Sequence, residues 1–125
     1  MWHHFQYVYG LHLMGHDVLF LEESEDYPSC YHPRSCEMTT DPAFGLSFTH
    51  KLFSHFGMGD HWVYCDWHTR RFYGKSESAV RTFLNQADLL LNISGVNPLT
   101  DKVSHIPRKI LIDTGVGTLI GREIL

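Results

Sequence analysis

The chain has 125 residues, 43% hydrophobic and 19% charged, enough to bury a core and unlike a disordered chain. Its formal charge of −4, with Arg70-Arg71 and nearby Lys75 as the one dense basic group, excludes the clustered cationic surface of a nucleic-acid binder. No apolar run approaches the roughly 20 residues of a membrane span, and Met1-Trp2-His3-His4-Phe5-Gln6 lacks the regions of a secretory signal, so a cytoplasmic setting is expected.

In chain order, Trp2, Phe5, Val8, Tyr9 and Leu13 recur at spacings of three and four and predict a helix over 2–14, closed by Gly15. Val18-Leu19-Phe20-Leu21 is a short unbroken apolar run, the pattern of a strand buried on both faces in a parallel sheet. Residues 23–46 read as a long polar connection. Phe48, Leu52, Phe53 and Phe56 predict a second helix, ended by Gly57 and Gly59, and His61 to Cys65 a second strand. Asp66 to Lys75 reads as an aromatic and basic loop. Ser76 is an N-cap candidate for a helix carrying Ala79, Val80, Phe83 and Leu84. Leu89 to Ile93 and Ile110 to Asp113 complete four strands, with Ser94-Gly95 releasing the third.

Strands alternating with helices predict α/β architecture. The expectation is a Rossmann-like, mostly parallel four-stranded sheet with helices on both faces. Residues 1–114 form the domain and 115–125 a tail that adds a strand or swaps into a neighbour.

The three cysteines, Cys30, Cys36 and Cys65, fit no C-x-x-C pattern and are expected as reduced thiols, with Cys65 buried and inert. Ten histidines invite a metal reading. However, His50 and His55 stand five apart, and His61, Cys65 and His68 match no zinc spacing, so no metal site is expected. Gly57-Met58-Gly59 precedes its strand and lacks the third glycine of a dinucleotide fingerprint.

The helix with Trp2-His3-His4-Phe5-Gln6-Tyr7, Gly10-Leu11 and Leu13-Met14, then Gly15-His16-Asp17-Val18 and Leu21-Glu22-Glu23, resembles the first helix and second strand of two-domain, GT-B-type glycosyltransferases. Ala87 to Gly95 and Pro107 to Thr114 resemble later strands of the same acceptor-side domain. The resemblance implies a chain incomplete relative to the family, without its opening strand and its second domain. Since that strand lies mid-sheet in the usual order, its place is expected to be filled by rearranged strands, by Thr118 to Leu125, or by a neighbouring chain. The resemblance further implies a nucleotide-sugar donor held by the missing domain, no cofactor in this chain, and no activity from it alone. The alternatives are a non-catalytic, self-associating α/β module and a small hydrolase or metal enzyme. Homo-oligomer formation is expected in the absence of the second domain.

In open α/β sheets, ligands collect at the carboxyl ends of the strands. Those ends present Glu22 and Glu23, Asp66 with Trp67 and His68, Ser94, Gly95 and Asn97, and Asp113 with Thr114, a set suited to a polyol or sugar. Exposure alone also makes loop ends polar. The resemblance implies that His3 or His4, at the amino end of the first helix, is the base that deprotonates an acceptor hydroxyl. A neutral imidazole suits that task, and a helix N-terminus favours it. A frayed terminal turn is the alternative.

Overall fold

A computed structural model of the chain describes residues 1–95 and 100–114. Helix α1 spans Trp2–Leu13, strand β1 Phe20–Glu23, β2 Cys30–His32, β3 Glu37–Thr39, helix α2 Ala43–His55, β4 Trp62–Asp66 and β5 Arg71–Gly74. Helix α3 (Glu77–Gln86), β6 (Leu89–Ile93), α4 (Asp101–Ser104) and β7 (Arg108–Ile112) follow. The chain divides into two compact units, Met1–Phe83 and Leu84–Leu125.

In the first unit, α1 ends as its sequence dictates. Gly15 takes φ +88, its N–H reaches the His12 carbonyl, and the His16 N–H reaches Leu11. This double bond pattern is the left-handed cap that glycine adopts without steric cost. The end of α2 repeats it, with Gly57 at φ +70 and the Met58 N–H bonded to the Phe53 carbonyl. Phe5 and Val8 of α1, Phe53 of α2, Met58, and Trp62 and Tyr64 of β4 form one buried cluster. Every residue of β4 is buried, Val63 and Cys65 as well as the side chains in that cluster.

Strands β1 and β4 run parallel with Phe20 opposite Trp62 and Glu23 opposite Cys65. β5 pairs antiparallel along the other edge of β4, Val63 opposite Gly74. β2 and β3 form a separate antiparallel hairpin. In the second unit, β6 and β7 run parallel with Leu89 opposite Arg108. Val103 and Ile106 are buried, and the Lys109 ammonium donates to the Ser104 and Ile106 carbonyls at 2.8 Å each.

The expected mostly parallel four-stranded sheet does not form. Its four strands are present as β1, β4, β6 and β7, but they lie two by two in different sheets, and among the described residues three further strands accompany them. One cause lies in the connection 67–70. A parallel return needs a crossover of a dozen residues or more, so a chain turning back this soon can only lay down an antiparallel neighbour. The strand expected from Thr118 to Leu125 falls outside the described residues.

Candidate functional site

The parallel register of β1 and β4 brings Ser24, just past the end of β1, beside Asp66, the last residue of β4. The Ser24 N–H donates to the Cys65 carbonyl at 2.9 Å, and the Trp67 N–H donates to Ser24 Oγ at 2.8 Å. The Trp67 indole Nε1–H then donates to Glu23 Oε2 at 2.7 Å. Trp67 is therefore held at both its backbone and its ring nitrogen while 38% of the residue stays exposed.

Asp66 builds the turn beneath it. The residue is 1% exposed, and its carboxylate accepts from the His68 N–H at 3.0 Å, the Thr69 N–H at 3.4 Å and the Thr69 hydroxyl at 2.7 Å. These bonds fix the loop that ends with Arg70 at φ +55. Asp66 thus positions Trp67 and His68 above the strand ends. Around them lies an open cleft of about 440 Å³ lined by Ser24, Glu25, Asp26, Trp67 and His68.

Glu22 stands opposite Tyr64 in the register. Burial pushes its carboxyl above the usual carboxylate range, with the α-amino group of Met1 pulling weakly the other way. Tyr64 is likewise raised, first by burial and then by its bond to the Cys30 thiol, whose sulfur lies 3.6 Å from the phenol oxygen. Because the folded value of Glu22 lies above that of the unfolded chain, folding favours its protonated form. That contribution is present below the unfolded value and is lost as pH rises through the folded one. Glu22→Gln is therefore expected to melt at higher temperature than the parent at neutral pH. The difference should shrink toward about pH 4, the range of an unfolded glutamate. A melting-temperature difference that stays constant across this range contradicts the assignment.

The remaining expected site residues lie elsewhere. His3 and His4 occupy the first turn of α1, their rings 5.5 Å apart and edge-on, and neither lines the cleft. Burial holds His4 below the ordinary histidine range, aided by the α-amino group and by His3. In the second unit, Ser94 and Thr114 sit at the carboxyl ends of β6 and β7 with their hydroxyls hydrogen-bonded, and Ser94 and Gly95 both take positive φ. Asp113 ends the same edge. Asn97 falls outside the described residues. Ser24, Glu25 and Asp26 were not legible as site residues. Their one signal is that they directly follow a strand end.

Among the described residues, no three His, Cys, Asp or Glu side chains are grouped to hold a metal ion, all three cysteines are free, and no helix is long and apolar enough to cross a membrane. Comparison with known proteins finds no matching family model, no matching curated protein and no matching solved structure.

Proposed function

We propose that the chain is a sugar- or polyol-recognising α/β module of the acceptor-side kind, contributing binding and no transfer of its own. The observation that carries this reading is the exposed Trp67 indole, its ring N–H held by Glu23 and its backbone N–H by Ser24 at the ends of two parallel strands. A flat, rigid aromatic face packs against the apolar C–H face of a pyranose with little entropy to lose. Glu25, Asp26 and His68 around it supply the few convergent polar groups that orient such a ligand. Carboxylates accept from hydroxyl groups strongly. They also repel diphosphates, in keeping with a nucleotide-sugar donor whose contacts lie outside this chain.

Titration with neutral mono- and disaccharides, followed by NMR at the tryptophan indole N–H resonances, tests the reading. The Trp67 resonance is expected to shift saturably while those of Trp2 and Trp62 stay in place. Trp67→Ala is expected to weaken binding at least about tenfold, about 1.4 kcal/mol, with the fold unchanged by circular dichroism. No saturable shift with any of these sugars, or equal binding by Trp67→Ala, refutes it.

A further inference from the structure

His12, in the last turn of α1, and His61, just before β4, meet with their ring centres 5.0 Å apart and their planes at 62°. Both are half-buried, and both stand on fixed backbone. The Gly15 N–H holds the His12 carbonyl at 2.9 Å, the His61 N–H reaches the Met58 carbonyl at 3.0 Å, and the His61 carbonyl accepts from Phe20 at 2.8 Å. The His61 Nδ1 lies 2.8 Å from the Val18 carbonyl. A carbonyl can only accept, so Nδ1 carries the proton and Nε2 of the uncharged ring keeps its lone pair. Among the described residues, that Nε2 and both ring nitrogens of His12 have no hydrogen-bond partner.

We infer that His12 and His61 together bind a divalent transition ion of the zinc or copper class, with water completing its coordination. The ring spacing fits a shared ion. An ion about 2 Å from a coordinating nitrogen lies about 3 Å from the centre of that ring, so two imidazoles on one tetrahedral ion stand about 5 Å apart. The Val18 bond fits as well. A ligating histidine donates its other ring N–H to a carbonyl, a carboxylate or water, which sets the tautomer and orients the ring. His12 also lies at the carboxyl end of α1, where the helix dipole favours a cation. Imidazole nitrogens suit zinc, copper and nickel, whereas magnesium and calcium take oxygen ligands. Ring packing alone would bring the two side chains together, but ion binding also occupies nitrogens that packing leaves unpaired. The two histidines sit on different elements and far apart in the chain, so no sequence spacing announces the pair.

Titration of the full chain with Zn²⁺ alone, followed by NMR of the imidazole nitrogens, tests the inference. Saturable shifts are expected at His61 Nε2 and at one ring nitrogen of His12, while His61 Nδ1 keeps its proton on the Val18 carbonyl. Mg²⁺ is expected to leave both rings unmoved. His12→Ala removes one ligand without touching the Val18 bond, and is expected to weaken Zn²⁺ binding at His61 at least about tenfold. His50→Ala, on the exposed face of α2, is expected to bind as the parent does. Should His12→Ala fail to fold by circular dichroism, the ring shifts of the parent still decide the matter. Equal binding by the parent and a folded His12→Ala overturns the inference. So does the absence of a saturable shift at either ring up to millimolar Zn²⁺. Shifts that appear over the other histidines at the same concentrations, the mark of an adventitious ion only, overturn it too.

Discussion

Phe53→Ala is expected to remove about 3–5 kcal/mol of folding stability, the range for truncating a fully buried phenylalanine. Phe53 is 0% exposed, and its ring meets Phe5 of α1 edge-on at 5.0 Å, Phe20 of β1 at 5.8 Å and Trp62 of β4 at 6.4 Å. Each neighbour belongs to a different element and is pinned by its own backbone, so the space left by the ring cannot collapse. Urea unfolding measures the loss as a lower midpoint at unchanged slope. Phe48→Ala on the same helix provides the control. Phe48 faces outward with 45% of its surface exposed, and its truncation is expected to cost less than about 0.5 kcal/mol. Equal losses in the two variants would show that the first unit is not organised around the Phe53 ring.

Gly74→Ala carries the second large effect, and here the backbone is the cause. Gly74 sits at φ +85, and a methyl group built on it would lie 2.5 Å from the Trp62 carbonyl oxygen and 2.9 Å from two carbons of the Trp62 ring. The positive φ alone costs about 1–2 kcal/mol for a residue with a side chain. The overlap adds about 1–3 kcal/mol, because the nearest atom belongs to the main chain of β4 and cannot swing aside. Relief requires Gly74 to move away from Val63, its partner in the register, which loosens β5 and the Lys75 N–H bond to Trp62. The expected result is a loss of about 2–5 kcal/mol in urea unfolding. Faster amide exchange at Lys75 should accompany it, since that N–H reports the pairing directly. Gly45→Ala, where an added methyl group meets open space, is expected to be neutral or slightly stabilising in the same assay.

Much of the fold was legible in the sequence, and the reasons for the rest are local. The four strands read from apolar runs are all present, but only β4 is buried along its whole length, while β1 is half-buried and β7 is mostly exposed. β5 is Arg-Phe-Tyr-Gly and only four residues long, too short and too mixed to stand out from the aromatic loop around it. The β2–β3 hairpin is written in Cys-Tyr-His and Glu-Met-Thr, neither of which carries a run or a clean alternation. Without these strands the pattern reads as a mostly parallel sheet. The start of α2 is also marked in the sequence. Asp41-Pro42 precedes it, and the Asp41 carboxylate accepts the Ala43 N–H at 2.9 Å, the side-chain bond that opens many helices. The stripe assigned to α2 included Phe48, whereas the buried residues are Thr49 and Phe53.

The candidate site was legible only in part. The rule that ligands gather at the carboxyl ends of strands pointed to Glu22, Glu23, Asp66, His68, Ser94, Gly95, Asn97, Asp113 and Thr114; of these His68 lines the cleft, while Glu23 and Asp66 bond the loop beside it. It could not tell which side chains face out. Asp66 looks like a candidate acid in one dimension, and only its three hydrogen-bond donors identify it as the foundation of the turn. Trp67 looks like one more aromatic in an aromatic chain until Glu23 is seen to fix its indole nitrogen.

The two partners of β4 arrive on different schedules. β5 reaches it across a tight turn, while β1 must bring Phe20 to Trp62 with α2 and a hairpin lying between them in the chain. Closing a long loop costs entropy before its contacts repay it, and local pairing escapes that delay. The β4–β5 ribbon is thus expected to assemble early and serve as the template on which β1 later aligns. Folding should then be slowed by substitutions in the ribbon, whereas changes on β1 should chiefly hasten its release.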